Sequence, residues 1–235
     1  MNDIVKAIER ETKYLSYRMR GEEPFHLVDA VKECGFDSLT DYFKAKKKYT
    51  MSQLEFEVRE PTADIAIADI HKVMNEKRTA VLLVRTEHTF VWNGDNSTFN
   101  EGYCNECSIP IYPLNTRGGT IVSTKGDLSI GICVPESIGI DVNYLLNELA
   151  DIFRKHTDKH ISVDGNDVLV DGFKVLGSTT YKSNGMFMFV AIISLTEKSE
   201  LISKICTKHS VKTPAYIDFL TCDELEHEIR KWLKL

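Results

Sequence analysis

Lys174 stands among apolar residues in the second half of a predicted hairpin. The apolar runs 168–170 and 173–176 flank Asp171-Gly172. Asp-Gly between two such runs predicts a type I′ turn, because both central residues need a positive φ. A lysine in such a strand is costly unless its amine reaches water, a carboxylate or a ligand anion. Lys174 is therefore the first candidate for chemistry.

A second candidate is the sequence Arg117-Gly118-Gly119, which lies between two predicted strands. Two glycines allow the backbone to approach a ligand closely and expose N–H groups that can hold an anion. An arginine adds a fixed cation with bidentate geometry for a carboxylate or phosphate. A tight turn with an exposed arginine is the alternative interpretation.

The elements that must position these residues mix strands and helices without strict alternation. Apolar patterning predicts strands at 54–58, 80–85, 89–92, 109–112, 128–134, 168–176 (the hairpin) and 186–195. Helices are predicted at 1–20, 24–31, 39–45, 62–76, 101–107, 142–155, 196–204 and 223–233. We therefore predict an α+β fold, with a mixed β-sheet core and flanking helices. The sequence has neither Gly-x-Gly-x-x-Gly nor Gly-x-x-x-x-Gly-Lys, so the common nucleotide-binding folds have no support.

The order of these elements resembles the lipoate–protein ligase and octanoyltransferase branch of the biotin/lipoate attachment family, over roughly residues 60–195. Residues 101–111, 117–122 and 126–130 are similar to that family's helix, glycine-rich loop and following strand. Residues 165–178, with the sequence GNDVLVDGFKVLGS, resemble its lysine hairpin and are the most specific match. The resemblance implies a biotin/lipoate-ligase-like catalytic domain with a cleft for an acyl chain.

The resemblance also implies an activity. Such ligases use ATP and magnesium to activate lipoate or octanoate as an acyl-adenylate. They then transfer the acyl group to a lysine of a lipoyl domain or a glycine-cleavage-type carrier protein. Lys174 corresponds to the catalytic lysine, and no metal ligand is assigned. The residues expected to bind substrate or nucleotide are Arg117, Gly118, Gly119, Thr120, Asp127, Asn166, Asp167, Gly177 and Ser178.

Departures from the family pattern keep two alternatives open. The paired arginine that usually precedes the glycines is absent, and 189–191 reads Phe-Val-Ala where histidine-glycine-threonine is expected. One alternative is a non-catalytic relative that binds a ligand or partner. The other is an ATP-independent carrier-to-carrier acyltransferase, which needs a nucleophile. Biotin attachment ranks lower, because that branch's glycine-arginine loop is not found.

The sequence predicts that residues 1–58 form a helical N-terminal extension, which matches nothing in the family. Residues 59–235 are predicted to form the lipoate-ligase-like catalytic domain, which ends in C-terminal helices. Composition indicates a soluble, cytoplasmic protein that binds neither nucleic acid nor membrane. The 235 residues carry a net charge of −6, whereas nucleic-acid-binding domains tend to be basic. The sequence contains no run of about 18 apolar residues, so it predicts no membrane span. The six scattered cysteines suit a reducing compartment.

Three smaller signals have simple structural interpretations. Cys104 and Cys107 form a Cys-x-x-Cys pair, but a structural zinc site needs four ligands and no second pair follows. Cys133 is predicted to be a core residue of a strand. The lysine run 46–48 is predicted to be a solvated helix end, where cations suit the helix dipole.

Overall fold

A computed structural model describes residues 3–22, 25–94, 98–113, 119–207 and 212–235, except for the side chains of 63, 64 and 67. The chain divides into two compact units, Met1–Leu54 and Glu55–Leu235. None of the described helices is long and apolar enough to cross a membrane.

The smaller unit contains three helices packed on a common core. They are α1 (Asp3–Met19), α2 (Leu27–Lys32) and α3 (Leu39–Ser52). The core comprises Ile4, Ala7, Val31, Cys34 and Tyr42. Ser38 caps the N-terminus of α3, because its side chain accepts a hydrogen bond from the Asp41 N–H group.

The lysine run corrects one prediction about this unit. Residues 46–48 lie inside α3, which continues to Ser52, and so they do not form a helix end. Lys46 pairs with the carboxylate of Glu11 on α1, and the Tyr42 hydroxyl donates to the same carboxylate at 2.5 Å. The ion pair with Glu11 gives Lys46 a partner on a neighbouring helix, so the run is not simply solvated.

The larger unit is built on a seven-stranded sheet with the order β1-β2-β6-β10-β9-β8-β7. Its strands are β1 (Glu57–Arg59), β2 (Ala80–Arg85), β6 (Leu128–Pro135), β7 (Ile161–Asp164), β8 (Asp167–Val170), β9 (Phe173–Ser183) and β10 (Met186–Ile193). The β1–β2 pair is parallel and the other neighbours are antiparallel. The sheet is therefore mixed, as predicted.

A second, three-stranded sheet has the order β4-β3-β5. Its strands are β3 (Phe90–Asn93), β4 (Ile111–Pro113) and β5 (Thr120–Ser123). The helices of the larger unit are α4 (Ala63–Asn75), α5 (Glu101–Glu106), α6 (Val142–Arg154), α7 (Ser199–Ile205) and α8 (Cys222–Leu233). This arrangement confirms the α+β fold class.

The central strands of the large sheet are covered on both faces. Every residue of β10 is buried, and in β2 and β6 only the last residue is not. Continuous apolar runs of this kind are typical of strands that pack on both sides. Two candidate residues lie at one end of this sheet, with Asp127 just before β6 and Lys174 near the start of β9.

Candidate functional site

The hairpin around Lys174 has the predicted turn. Asp171 and Gly172 have φ values of 50° and 84°, and they connect β8 to β9. Two positive φ values in sequence are the signature of the type I′ turn, which suits the twist of an antiparallel pair. The turn prediction is therefore confirmed.

A β-bulge in this hairpin determines where the Lys174 side chain points. Val168 pairs with Leu176 and Leu169 pairs with Lys174, so Val175 is an extra residue in β9. In a regular strand, positions three apart face opposite sides. The extra residue shifts this alternation by one. Lys174 therefore shares a face with Gly177, which is the pairing partner of Asp167.

Two neighbouring segments flank the Lys174 backbone, and one of them is hydrogen-bonded to both its N–H group and its carbonyl. On one side lies β8, and on the other lies the segment 213–215, which runs parallel to β9. The Lys174 N–H group donates to the Thr213 carbonyl at 2.9 Å, and the Ala215 N–H group donates to the Lys174 carbonyl at 2.8 Å. The lysine side chain thus projects from a fixed base.

The ammonium of Lys174 lies 2.9 Å from Oδ1 of Asp167, and 33% of the side chain is exposed. An ammonium has three N–H bonds, of which this contact uses one. Among the residues described, Asp167 is the carboxylate within ion-pair distance of Lys174. Lys174 therefore retains donors and solvent access with which to bind an anion.

Gly177 leaves room for this lysine. A Cβ atom at Gly177 would lie 2.9 Å from Cε and 3.0 Å from Nζ of Lys174. These distances are shorter than real Cβ contacts allow, so any side chain at 177 would displace the amine. The φ of Gly177 is not in the left-handed region, so its backbone conformation does not require glycine. Glycine is needed here because it lets the Lys174 side chain approach the backbone closely.

A second lysine, which the sequence analysis did not identify, completes the cluster. Lys212 Nζ lies 2.8 Å from Oδ2 of Asp167, 2.6 Å from the Asp164 carbonyl and 3.1 Å from Oδ2 of Asp164. Burial lowers the pKa of Lys212, but hydrogen bonds with Asp167 and Asp164 outweigh it, and the net pKa is raised. Lys212 lies outside any helix or strand, so no periodic pattern could have indicated its partner.

Asn166 and Ser178 are adjacent to the same cluster. The Ser178 N–H group and hydroxyl both donate to the Asn166 carbonyl, at 2.9 and 2.8 Å. The Asn166 side chain is exposed in the turn between β7 and β8. The structure therefore brings together five of the predicted residues: Asn166, Asp167, Lys174, Gly177 and Ser178.

Asp127 lies at the same end of the sheet but is enclosed by protein. Its side chain is fully buried and pairs with Lys198. Oδ1 accepts from the Leu195 N–H group at 2.9 Å and the Thr196 hydroxyl at 3.1 Å. Oδ2 accepts from the N–H group and hydroxyl of Thr124, at 2.9 and 3.2 Å. This carboxylate is fully occupied by internal donors.

The glycine-rich sequence is described only at its end. Arg117 and Gly118 lie outside the described residues. Gly119 precedes β5, and among the described residues other than its chain neighbours no atom lies within 4 Å of a Cβ built on it. Thr120 begins β5, and its hydroxyl donates to the Thr98 carbonyl at 3.4 Å.

Two predictions about cysteines can be compared with the structure. Cys133 is fully buried in β6 as predicted, and burial raises the pKa of its thiol to about 11. Cys104 is buried on α5, whereas Cys107 is exposed just beyond it. In the described part of the chain, no group of three or more His, Cys, Asp or Glu side chains could hold a metal ion.

Cys206 follows α7 and lies within electrostatic range of Lys174. It forms an isolated bridge with Phe99, and the residue is half-buried. Burial raises the pKa of the Cys206 thiol, the charge of Cys104 adds to this rise, and the positive charge of Lys174 opposes it.

A cavity of about 540 Å³ opens elsewhere in the larger unit. Its wall includes Glu60, Leu83, Arg85, Tyr112 and Glu226, and none of the predicted site residues that the structure describes. Arg85 is paired with Glu226 at 2.6 Å. A cavity with several carboxylates in its wall is a poor match for an acyl chain, because burying a charge beside an apolar ligand is costly.

The chain matches no family model and no curated protein sequence. Its fold is nevertheless similar to that of solved lipoate ligases. A P. falciparum protein solved in complex with lipoate has a TM-score of 0.63 at 15% identity, over 75% of this chain and 61% of that one. A bi-partite lipoate protein ligase from Thermoplasma acidophilum, studied with its E2 lipoyl domain, has a TM-score of 0.66 at 13% identity, over 77% and 83%.

Lipoate-protein ligase A bound with ATP is a third similar structure, with a TM-score of 0.63 at 12% identity, over 77% of this chain and 85% of that one. The chain thus spans less than two thirds of the P. falciparum protein and most of the other two. These likenesses confirm, at the level of fold, the resemblance found in the sequence.

Proposed function

From the fold of a lipoate-ligase catalytic domain, we propose that this protein is a lipoate–protein ligase-like acyltransferase. It activates lipoate or octanoate with ATP and transfers the acyl group to a lysine on a carrier domain. The observation that carries the proposal is Lys174, a part-exposed lysine that a β-bulge directs across Gly177. An enzyme that forms an acyl-adenylate needs a fixed cation at such a place.

The chemistry has two steps. In the first, a carboxylate oxygen of the fatty acid attacks the α-phosphorus of ATP. The P–O bond to the β-phosphate breaks, and pyrophosphate leaves. In the second, the neutral amine of the carrier lysine attacks the acyl carbon, AMP leaves, and the amine's proton passes to solvent or phosphate. Negative charge develops on the α-phosphate oxygens in both steps, and a preorganised ammonium stabilises charge where it develops.

The other predicted residues take their proposed roles from their positions where the structure describes them, and Arg117 and Gly118 take theirs from the sequence resemblance alone. The backbone around Asn166, Gly177 and Ser178 borders the place where Lys174 would hold the adenylate. Arg117, Gly118, Gly119 and Thr120 are proposed to form the opposite wall and to contribute N–H donors and a cation. The filled coordination of Asp127 supports a positioning role, in which it fastens 124–127 to 195–198.

ATP enters this proposal as a substrate that brings its own magnesium. Mg²⁺ is commonly bound through substrate phosphates with one or two carboxylates. Asp167 does not fit as such a ligand, because lysines pair with both of its oxygens. No step is therefore assigned to a protein-held metal.

Three similar structures support the choice of substrates. The P. falciparum protein was solved with lipoate, ligase A with ATP, and the Thermoplasma acidophilum ligase was studied with its E2 lipoyl domain. At 12–15% identity these likenesses carry only the fold. The substrates of this chain, and a lipoyl domain or glycine-cleavage-type protein as its partner, are proposals.

The test is intact-mass analysis of lipoyl domains and a glycine-cleavage-type carrier after incubation with the protein, ATP, magnesium and lipoate or octanoate. The expected result is an added lipoyl or octanoyl mass that depends on ATP. Lys174→Met should slow its appearance about 100- to 1,000-fold. Lys159→Met is the matched control, because Lys159 pairs with Asp218 in an exposed contact. No added mass on any acceptor would exclude the ligase.

One observation favours a second candidate, the carrier-to-carrier acyltransferase. Cys206 is a half-buried cysteine whose thiol pKa is raised by burial, and the positive charge of Lys174 opposes that rise in favour of the thiolate. In that reaction the Cys206 thiolate would attack the acyl thioester of a donor carrier, and the carrier thiol would leave. Incubation with octanoylated carrier should then add an octanoyl mass without ATP, and Cys206→Ser should remove it.

The remaining alternative is a non-catalytic protein that binds a nucleotide or acyl ligand. It predicts saturable heat on titration with ATP or octanoate but no turnover. Turnover that requires ATP, and that Lys174→Met slows about 100- to 1,000-fold while the circular dichroism spectrum stays unchanged, would refute this alternative.

A further inference from the structure

We propose that Lys212 is a positioning residue that keeps Lys174 available for its ligand by occupying the second oxygen of Asp167. The inference rests on the proposed function only in assigning Lys174 an anion to bind. Asp167 is the shared partner: Lys174 lies 2.9 Å from Oδ1 and Lys212 lies 2.8 Å from Oδ2.

The geometry divides one carboxylate between two cations. The Asp167 side chain is only 16% exposed, so its charge needs compensation within the protein. If Lys212 were absent, Oδ2 would be free, and the flexible Lys174 side chain could close onto both oxygens. With Lys212 in place, Lys174 contacts only one oxygen of Asp167. Breaking that contact then costs less free energy than breaking contacts with both oxygens.

Lys212 is well anchored for this role. Besides Asp167, its ammonium contacts the carbonyl and the carboxylate of Asp164. The next residue in the chain, Thr213, accepts a hydrogen bond from the Lys174 N–H group. The same short segment thus holds the lysine backbone and supplies the cation that limits its side chain.

Lys212 and Lys174 differ in how many of their N–H donors remain available for a ligand. Among the described residues, Lys212 contacts three oxygens of Asp164 and Asp167 and is 22% exposed, whereas Lys174 contacts one oxygen of Asp167 and is 33% exposed. A lysine that is already coordinated by three acceptors is suited to hold a carboxylate, and one with spare donors is suited to bind a ligand. These contacts therefore suit Lys212 to holding Asp167 and Lys174 to binding the ligand.

The test measures how fast a water-soluble N-hydroxysuccinimide acetate ester acetylates Lys174, by quantitative peptide mass spectrometry, and requires no enzymatic turnover. Lys212→Met should slow acetylation of Lys174 about two- to fivefold, the range expected for gaining one partly exposed charge contact. Lys212→Arg should restore the wild-type rate. Lys159→Met should leave it unchanged, because it removes another lysine–aspartate pair that tethers the same C-terminal segment.

Asp167→Asn provides the second arm. It should speed acetylation of Lys174, and Lys212→Met should have no further effect in that background. Slowing by Lys212→Met that persists in Asp167→Asn would overturn the proposal, as would an unchanged rate in a folded Lys212→Met protein. If Lys212→Met fails to fold, Lys212→Gln replaces it, since glutamine can still donate to the Asp164 carbonyl.

The outcome is separable from that of the proposed function. If carrier acylation is absent but the acetylation rates change as expected, the positioning role stands and the ligase proposal fails. If acylation is present, Lys212→Met should also raise the KM for ATP with a smaller effect on kcat. Acylation that is present with unchanged acetylation rates would remove the positioning role alone.

Discussion

Two lysine–aspartate pairs at the same end of the large sheet have opposite characters. Lys198 and Asp127 are almost fully buried, with side-chain exposures of 5% and 0%. Lys174 and Asp167 are 33% and 16% exposed. Asp127 accepts four further hydrogen bonds, whereas Asp167 is divided between two lysines. The same residue types thus form a structural pair in one place and a candidate ligand site in the other.

The difference teaches that solvent exposure and unused N–H donors, more than residue type, distinguish a ligand-binding lysine from one in a structural ion pair. A buried ion pair is stable only when every charge is compensated, so it has nothing to offer a ligand. A part-exposed lysine that shares its carboxylate with a second lysine can exchange partners. Four predictions test this contrast.

The largest expected effect is on the buried pair. Asp127→Ala should lower the free energy of unfolding by about 3–5 kcal/mol, because it leaves Lys198 buried without a partner. Urea denaturation monitored by circular dichroism measures the change. The double variant Asp127→Leu with Lys198→Met should recover much of the loss. A loss below about 1 kcal/mol for Asp127→Ala would show that this pair is no structural ion pair.

Lys174→Met should show the reverse pattern. We expect a loss of about 2.7–4 kcal/mol in transition-state stabilisation of carrier acylation, the usual result of removing a preorganised donor. Unfolding should change by no more than about 1 kcal/mol, because the pair is partly exposed. Rates from intact mass and urea midpoints provide the two numbers. A destabilisation as large as that of Asp127→Ala would erase the contrast between the pairs.

Gly177→Ala is a finer test of the Lys174 site. The new methyl group would displace the flexible end of Lys174 from Asp167, so acetylation of Lys174 should become about two- to fivefold faster. Stability should change little, since only a side-chain end has to move. Gly102→Ala is the control, because its Cβ would meet its nearest atom at an ordinary 3.5 Å. Equal rates in both variants would mean that Gly177 does not shape the site.

The smallest expected effect is on the pH dependence of stability, to which Lys198 and Lys212 should contribute with opposite signs at alkaline pH. Burial lowers the pKa of Lys198, and the charge of Asp127 opposes this only in part. The unfolded chain therefore binds more protons than the folded one between that lowered pKa and about 10.4, and stability from Lys198 rises with pH in this window. Lys212 has a raised pKa, so its contribution is complete below about 10.4 and is lost as pH rises through the folded value.

Urea unfolding between pH 8.5 and 11 measures both signs. Relative to wild type, Lys198→Met should remove a rise in stability with pH, and Lys212→Met should remove a fall at the alkaline end. Identical slopes in the two variants would contradict the distinction between a buried pair and a shared one.

Much of the fold could be predicted from local patterns. The Asp171-Gly172 turn was predictable because two positive φ values in sequence favour those residue types. Thr221 was predictable as the cap of α8, where it forms a capping box with Glu224. The buried strands β2, β6 and β10 follow from continuous apolar runs.

The candidate site was predictable only in part. The sequence indicated Lys174, Asn166, Asp167, Gly177 and Ser178, and the structure places them together. The roles of Lys212 and Lys198 were not predictable, because their partners lie 45 and 71 positions away. The lysine run in α3 was misread for the same reason, since Glu11 is 35 positions from Lys46.

The sequence by itself determined the hairpin, the strand and helix types and the presence of an awkward lysine, because these depend on residues that are neighbours in the chain. Only the tertiary structure decided what that lysine faces. The extra residue Val175 shifts the alternation of β9, and the distant Lys212 takes one oxygen of Asp167. Both depend on strand register and on long-range charge pairing, which no local pattern encodes.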